Sequence, residues 1–191
     1  VIDEQVLLAR ARSLDETALE TIFDHYYPVL YRYLYYHVHH RQIAEDLTAE
    51  VFTRMLERLA DGGGPERYLR AWLYRVAYNL VVDESRRRVH RDHDPLDEQV
   101  AVVDGEVEAH TEASILRGHA QAALMSLTSS QRAVIVLKFL EGCENREVAQ
   151  ILGTTIGAVK ALQHRGLAAM QEHLNNRQDS GRDHDGATTG R

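Results

Sequence analysis

The sequence predicts an all-α protein of two small helical domains joined by an acidic flexible linker, and three observations point there. Apolar residues recur at three- and four-residue spacing through most of the chain, and no stretch alternates convincingly with a strand's period of two. Hydrophobic residues make up 44% of the 191 positions and prolines number only 3, which suits folded, soluble helices. The third observation is where the net charge of −7 resides. Residues 1–91 carry 13 basic and 14 acidic side chains, 119–174 carry 5 and 4, and 175–191 carry 3 and 3. Residues 92–118 carry 1 and 8, so the whole imbalance sits in one connector between nearly neutral segments.

Taken in order, residues 3–12 form a short helix. Ser13 with Glu16 makes a capping box that opens a second helix through LDETALETIFDHYY, with Leu19, Ile22, Phe23 and Tyr26 as its buried stripe. Pro28 suits the first turn of a further helix, VLYRYLYYHV, where a missing amide hydrogen costs little. Its tyrosines read as amphipathic packing, with hydroxyls reaching the surface. In the helix over 42–59, Ala44, Leu47, Val51, Met55 and Leu59 line one side, and Glu45, Asp46 and Glu50 put negative charge on another. Acidic helix faces are most often simply solvated.

Asp61-Gly62-Gly63-Gly64-Pro65 is a loop. A long helix follows from about Glu66 to about Arg91, with Leu69, Leu73, Val76 and Leu80 on its core side. Tyr74, Tyr78 and Asn79 share the other faces with Arg70 and Arg75, and Trp72 is read as core. The helix ends in Arg86, Arg87, Arg88 and Arg91, which the helix dipole partly explains. Aromatic rings and an asparagine beside a glycine-rich loop suit unstacked single-stranded bases, which offer ring faces and amide edges.

Residues 92–112 lack a helical or strand period and are expected to form a flexible tether. A helix starts near Ala113, and Thr128 with Gln131 is a second capping box, opening a helix that Gly142 stops. Leu124, Leu127, Ala133, Val134, Val136 and Leu137 supply its core. In NREVAQILGTTIGAVKALQHRGLAAM, Val148, Ile151 and Leu152 form a stripe, Gly153 suits a left-handed stop, and Thr154 or Thr155 can cap the next helix. Ile156 and Val159 are expected to face the core. Thr155, Lys160, Gln163, His164 and Arg165 project outward with donors for phosphates and base edges. This is a helix-turn-helix pattern, for which a plain helical hairpin is the alternative. Residues 175–191 lack apolar side chains and are expected to be disordered.

No apolar run approaches membrane-spanning length and no signal peptide is evident, so no membrane insertion is expected; Val1 is not a natural start, so a few residues are expected to precede it. With Cys143 the single cysteine, no internal disulfide can form and a cytoplasmic location is expected. His37, His39 and His40 cluster without a second ligand group, so no metal is expected. No phosphate loop and no nucleophile-base arrangement can be assembled, so neither a cofactor nor enzymatic activity is expected.

The order EDLTAEVFTRM, loop, RAWLYRVAYNLVVDESRRR, acidic linker and helix-turn-helix resembles a bacterial RNA polymerase sigma factor of the extracytoplasmic-function group, over roughly residues 5–174 apart from the linker. The resemblance implies that residues 1–91 (region 2) bind core RNA polymerase and melt the −10 element. It implies that 113–174 (region 4) read the −35 element of promoter DNA, with 92–112 as linker and 175–191 as tail. Glu45, Asp46 and Glu50 would then face polymerase, with Ala49 standing where relatives often carry Gln. Asp61, Arg67, Tyr68, Tyr78, Asn79, Arg86 and Arg87 would meet the −10 strand, the loop Asp61–Tyr68 capturing a flipped-out base. Thr155, Lys160, Gln163, His164 and Arg165 would meet the −35 duplex. Ala161 and Leu162 replace a common Ser and a common Arg, which implies a different recognised sequence. Glu144 replaces the usual Ser cap, with Asn145 able to serve one residue later. The resemblance also suggests that the linker threads the RNA channel, a simple tether being the alternative, and makes an anti-sigma factor a partner to look for. A stand-alone helix-turn-helix regulator and a regulator that titrates polymerase are the competing readings.

Overall fold

A computed structural model describes residues 4–91 and 112–182 as eight α-helices, with no strand among the described residues. The expectations for the connector at 92–111 and the tail at 183–191 lie outside the described residues. In order, the helices are α1 (Glu4–Arg12), α2 (Glu16–Val38), α3 (Arg41–Ala60), α4 (Leu69–Arg91), α5 (Glu112–Met125), α6 (Ser129–Ile135), α7 (Asn145–Leu152) and α8 (Ile156–Arg182). A five-residue π-helical segment, Val136–Leu140, continues α6.

Helices α1 to α4 pack around Leu8, Ile22, Leu30, Leu34, Val51, Met55, Leu69 and Leu73, all essentially removed from water. Two histidines make the tight corner between α2 and α3. His39 takes a left-handed conformation (φ 51°) and its amide donates to the Tyr35 carbonyl at 2.8 Å, closing α2. His40 opens α3, its ring Nδ1 accepting from the Ile43 amide at 3.4 Å.

Several sequence expectations give way here. Asp15, not Ser13, caps α2 by accepting from the Ala18 amide at 2.9 Å, because Leu14 (φ 56°) turns the chain one step later. Pro28 does not open a helix but lies inside the continuous α2. Pro28 and Asp24 are both exposed, so the carbonyl that Pro28 leaves without its amide partner is in reach of water. Phe23, expected in the buried stripe, is 44% exposed and starts a run of rings along α2 through Tyr27, Tyr31 and Tyr35 to His39. Tyr74, expected on an outer face, is buried and meets Tyr33 edge to face, the centroids 5.2 Å apart. Glu112, assigned to the linker, begins α5. Residues 175–182, expected to be disordered, extend α8. No glycine or proline interrupts it before Gly181 in this stretch, and each added residue continues a ladder already nucleated.

Helices α5 to α8 form the second set, and the expected capping box at Thr128 and Gln131 opens α6. At its far end Gly142 (φ 66°) is left-handed and the Cys143 amide donates to the Leu137 carbonyl at 2.8 Å, which stops the helix as expected.

The two sets pack against each other, α7 along α4 and α5 and α6 against α2. The joint is largely polar. Glu141, its side chain only 3% exposed, accepts from Arg32 Nε at 3.1 Å and Nη2 at 2.9 Å and from the Tyr74 hydroxyl at 2.8 Å. Arg70 donates to the Glu141 carbonyl and approaches Cys143 Sγ at 3.3 Å and Glu147 at 3.5 Å. Buried Arg132 satisfies the carbonyls of Leu124, Met125 and Leu127 within its own set and that of His37 in α2. Leaving such a buried charge without its partners typically costs ~3–5 kcal/mol.

His37 is buried, its Nδ1 bonded to the Tyr33 carbonyl at 2.8 Å and its Nε2 without a partner. Burial, and secondarily Arg132, lowers its pKa to about 4, the Tyr33 bond opposing the shift. The folded ring therefore stays neutral where an unfolded one, near 6.5, already binds a proton. The contribution of neutral His37 is complete above about pH 6.5 and is lost as pH falls towards 4, on the order of 3 kcal/mol in all. His37→Leu should flatten that part of the stability profile, read from urea unfolding between pH 7.5 and 4; an unchanged slope would remove His37 as its source.

Candidate nucleic-acid interface

The start of α8 is the most fully built of the candidate surfaces. Gly153 (φ 62°) ends α7 in the left-handed conformation, and the Thr154 amide donates to the Ala149 carbonyl at 2.9 Å. Thr155 rather than Thr154 caps α8, its Oγ1 accepting from the Ala158 amide at 3.1 Å. Val159 anchors the helix, fully buried, and Gly166 lets it lie close on α6, since a Cβ there would stand 3.2 Å from Ile135 Cγ1. Ile156, expected in the core, is 44% exposed, because of that pair only Val159 lies on the covered side. Thr155, Lys160, His164 and Arg165 are exposed and Gln163 is half-buried, so the expected set shares one accessible helix. Arg165 Nε rests on the Ala161 carbonyl at 3.4 Å. Amide dipoles at the helix start and the cations beyond it favour phosphate.

The second surface is a cleft of about 700 Å³ where the end of α3 and the following loop meet α4. Asp61 and Asn79, both expected, line it, together with Arg54, Arg58, Trp72 and Arg75, which were not. Trp72 packs against the core as expected but is only partly buried, so it also lines the cleft; a ring, guanidinium groups and an amide edge together suit an unpaired base. The missing signal was relational: Arg54 and Arg58 are one turn apart on α3, Trp72 and Arg75 one turn apart on α4, and only the loop brings them together. Gly62 (φ 74°) and Gly64 (φ 87°) shape that loop, and Tyr68 (φ 58°) stands 66% exposed at its end.

The remaining expected residues do not converge on the cleft. Arg67 and Tyr68 are exposed on the loop, and Arg86 and Arg87 are exposed towards the far end of α4, Arg86 lying 3.7 Å from Asp83. Tyr78 is half-buried, its hydroxyl 3.1 Å from Ser130 Oγ on α6.

On α3, Asp46 is exposed and accepts from Gln42 at 3.2 Å, while Glu45 pairs with Arg41 at 3.0 Å and Glu50 with Arg54 at 2.8 Å. Beside this face an apolar groove of about 550 Å³ runs between Leu14, Leu19, Phe23, Phe52, Met55 and Leu56, with Glu16 and Glu20 among its walls. Helical spacing assigned Phe23 to the core and so concealed it. Among the described residues no group of His, Cys, Asp and Glu could hold a metal ion, and no helix is long and apolar enough to cross a membrane. Cys143 is buried, and burial pushes its thiol up to about 12, so it is no nucleophile at neutral pH.

Comparison with known proteins adds a family to this geometry. Residues 22–91 match the family model for sigma-70 region 2, and residues 119–170 match that for sigma-70 region 4. The extracytoplasmic-function (ECF) RNA polymerase sigma factor BldN of Streptomyces coelicolor is 34% identical over 172 residues, covering 88% of this chain; the match spans 64% of BldN's own length. The ECF RNA polymerase sigma factor SigW of Bacillus subtilis is 30% identical over 172 residues, covering 84% of this chain and 90% of SigW. Among solved structures, CnrH in complex with the cytosolic domain of CnrY shares the fold at a TM-score of 0.69, with 22% identity over 91% of this chain and 97% of that one.

The helix-turn-helix carries one correctable defect. Glu144 is the N-cap of α7 but makes no side-chain capping bond, and Asn145, expected to take over, instead buries an Oδ1 without a partner. Glu144→Ser should supply the cap and raise stability by ~1 kcal/mol. Thermal unfolding checks this, and a lowered midpoint would contradict the assignment of the helix start.

Proposed function

The chain belongs to the extracytoplasmic-function sigma factors of the sigma-70 family, and on that premise we propose that it is a dissociable subunit that directs core RNA polymerase to promoters. The observation that supports this is that one chain holds two different surfaces whose side chains suit nucleic acid. The start of α8 offers exposed Thr155, Lys160, His164 and Arg165 on a rigid helix suited to a duplex groove. The α3–α4 cleft offers Trp72, Asn79 and arginines suited to a base taken out of its stack. A stand-alone helix-turn-helix regulator has no use for the second.

In this reading residues 1–91 hold the polymerase and the −10 strand, 113–174 hold the −35 duplex, and 92–112 connect them. Asp46 and Glu50 face the polymerase clamp, and exposed Phe23 and Leu56 extend that face with apolar surface. An anti-sigma factor would compete for the same faces. The protein acts by binding and strand separation rather than by catalysis, in the cytoplasm where polymerase works.

Reconstituted transcription tests the reading: purified protein, sigma-free core polymerase and fragmented genomic DNA, with transcript 5′ ends mapped. Discrete starts sharing two upstream elements are expected; no core binding would overturn it. Glu50→Lys should weaken core binding about tenfold or more, ~1.4 kcal/mol, with helicity retained. Arg165→Ala should cost ~1–3 kcal/mol on the cognate upstream element and less on altered ones if it reads a base edge, whereas a uniform loss across sequences would assign it to phosphate.

A further inference from the structure

We propose that the first turn of α8 reads a thymine in the upstream duplex, Ile156 touching the C5 methyl of the base and Gly157 letting the helix press close enough to reach it. The inference rests on the sigma-factor reading and deepens it, since it names what the duplex-facing surface distinguishes. Thr155 caps the helix, so Ile156 and Gly157 are its first two residues. Side chains at a helix start tilt towards its N-terminus, ahead of the tip that enters a major groove. Ile156 stands there 44% exposed, although Val159, a turn further on, is taken completely into the core. An apolar, β-branched side chain in a major groove has one suitable partner, because of the four bases only thymine presents a methyl group there. The other three would set a polar edge against Ile156 and leave its donor or acceptor without water or a bond.

Gly157 is an independent observation. A glycine within a helix is less stable than an alanine, so its presence asks for a reason. Gly166, in the same helix, has one in the side chain of Ile135. Gly157 has none within the described residues: its backbone is not left-handed, and a Cβ there would meet only Thr155 Oγ1, at an ordinary 3.8 Å. The room it leaves is exposed, open to whatever the helix start approaches. One turn on, Ala161 is exposed as well and carries no hydrogen-bonding group, while Leu162 packs against the core. The tip of α8 is thus non-polar, and the cations of Lys160 and Arg165 follow only in later turns, where phosphates are in reach.

Single thymine-to-uracil replacements test this, because uracil pairs as thymine does and lacks only the methyl. The complex of core polymerase with the full chain is titrated on promoter duplexes in which each thymine of the mapped upstream element, on either strand, is replaced in turn. One replacement should weaken wild-type binding about fourfold, the worth of one buried methyl. Ile156→Ala should bind the thymine duplex more weakly than wild type does and no longer distinguish it from the uracil duplex. Gly157→Ala should raise the thermal midpoint of the free chain yet weaken promoter binding, opposite signs that a purely structural glycine would not give. An element without thymine, replacements without effect, or a uracil effect that survives in Ile156→Ala would overturn the methyl contact. Gly157→Ala binding as tightly as wild type would overturn the close approach. In each of these cases the polymerase complex would still bind its promoter, whereas a chain that bound no core polymerase would sink the sigma-factor reading itself, and the thymine contact with it.

Discussion

The carboxylate of Glu141 fixes how the two halves of this protein meet. An acid sealed from water must be matched by donors, and the donors come from Arg32 on α2 and Tyr74 on α4. Neither helix belongs to the set that supplies the acid, so its satisfaction sets the approach of one helical set to the other. The gain in stability is modest, because the cost of dehydrating the charges offsets most of their attraction. What the arrangement supplies is direction: a slide of one helical turn would leave the acid without partners. Arg132 works the same way at the other end of the joint, closing three carbonyls around the α5–α6 corner before it reaches His37.

The two candidate nucleic-acid surfaces arise by different physics. The α8 surface is local: a left-handed glycine, a threonine cap and one buried valine aim a helix whose outer residues are adjacent in sequence. Its precision depends on few contacts. The α3–α4 cleft is assembled from a helix end, a glycine-shaped loop and the middle of another helix, so it depends on the packing of all three. A helix that reads a groove needs a rigid direction, whereas a pocket for a base needs a concavity, and the two candidate surfaces divide along that line.

This difference also decides what was legible in the sequence. Helix periodicity placed α3 and most of α4, and the glycine stops at 142 and 153 and the box at Thr128 were read correctly, because these are short-range chemistry. That Thr155, Lys160, His164 and Arg165 would be exposed at the start of α8 was readable for the same reason. Where sequence reasoning erred, a tertiary fact competed with a local rule. Pro28 reads as a helix start, yet its exposed side lets α2 run on; Ser13 reads as a cap, yet Leu14 carries the turn to Asp15. Tyr74 reads as an outer residue, because the half that covers it lies far along the chain. Arg54, Arg58 and Arg75 were invisible as a group since no spacing rule joins two helices across a loop. Glu141 itself looked like an ordinary charge beside a glycine.

The π-helical segment before Glu141 has a consequence for how this joint can vary. Its wider turn, closed by the Glu141 amide on the Val136 carbonyl at 3.1 Å, accommodates one residue more than an α-helix would and rotates the residues beyond it by about 100°. Phe139 and Leu140 are thereby left 55% and 44% exposed while the acid turns inward. A single-residue deletion at Lys138, Phe139 or Leu140 would relax the segment to an ordinary helix and swing the carboxylate off Arg32 and Tyr74, while buried Val136 and Leu137 stay in place. The phase of one helical turn is thus a genetic dial: single-residue indels here would uncouple the halves, whereas most point substitutions would only weaken their contact.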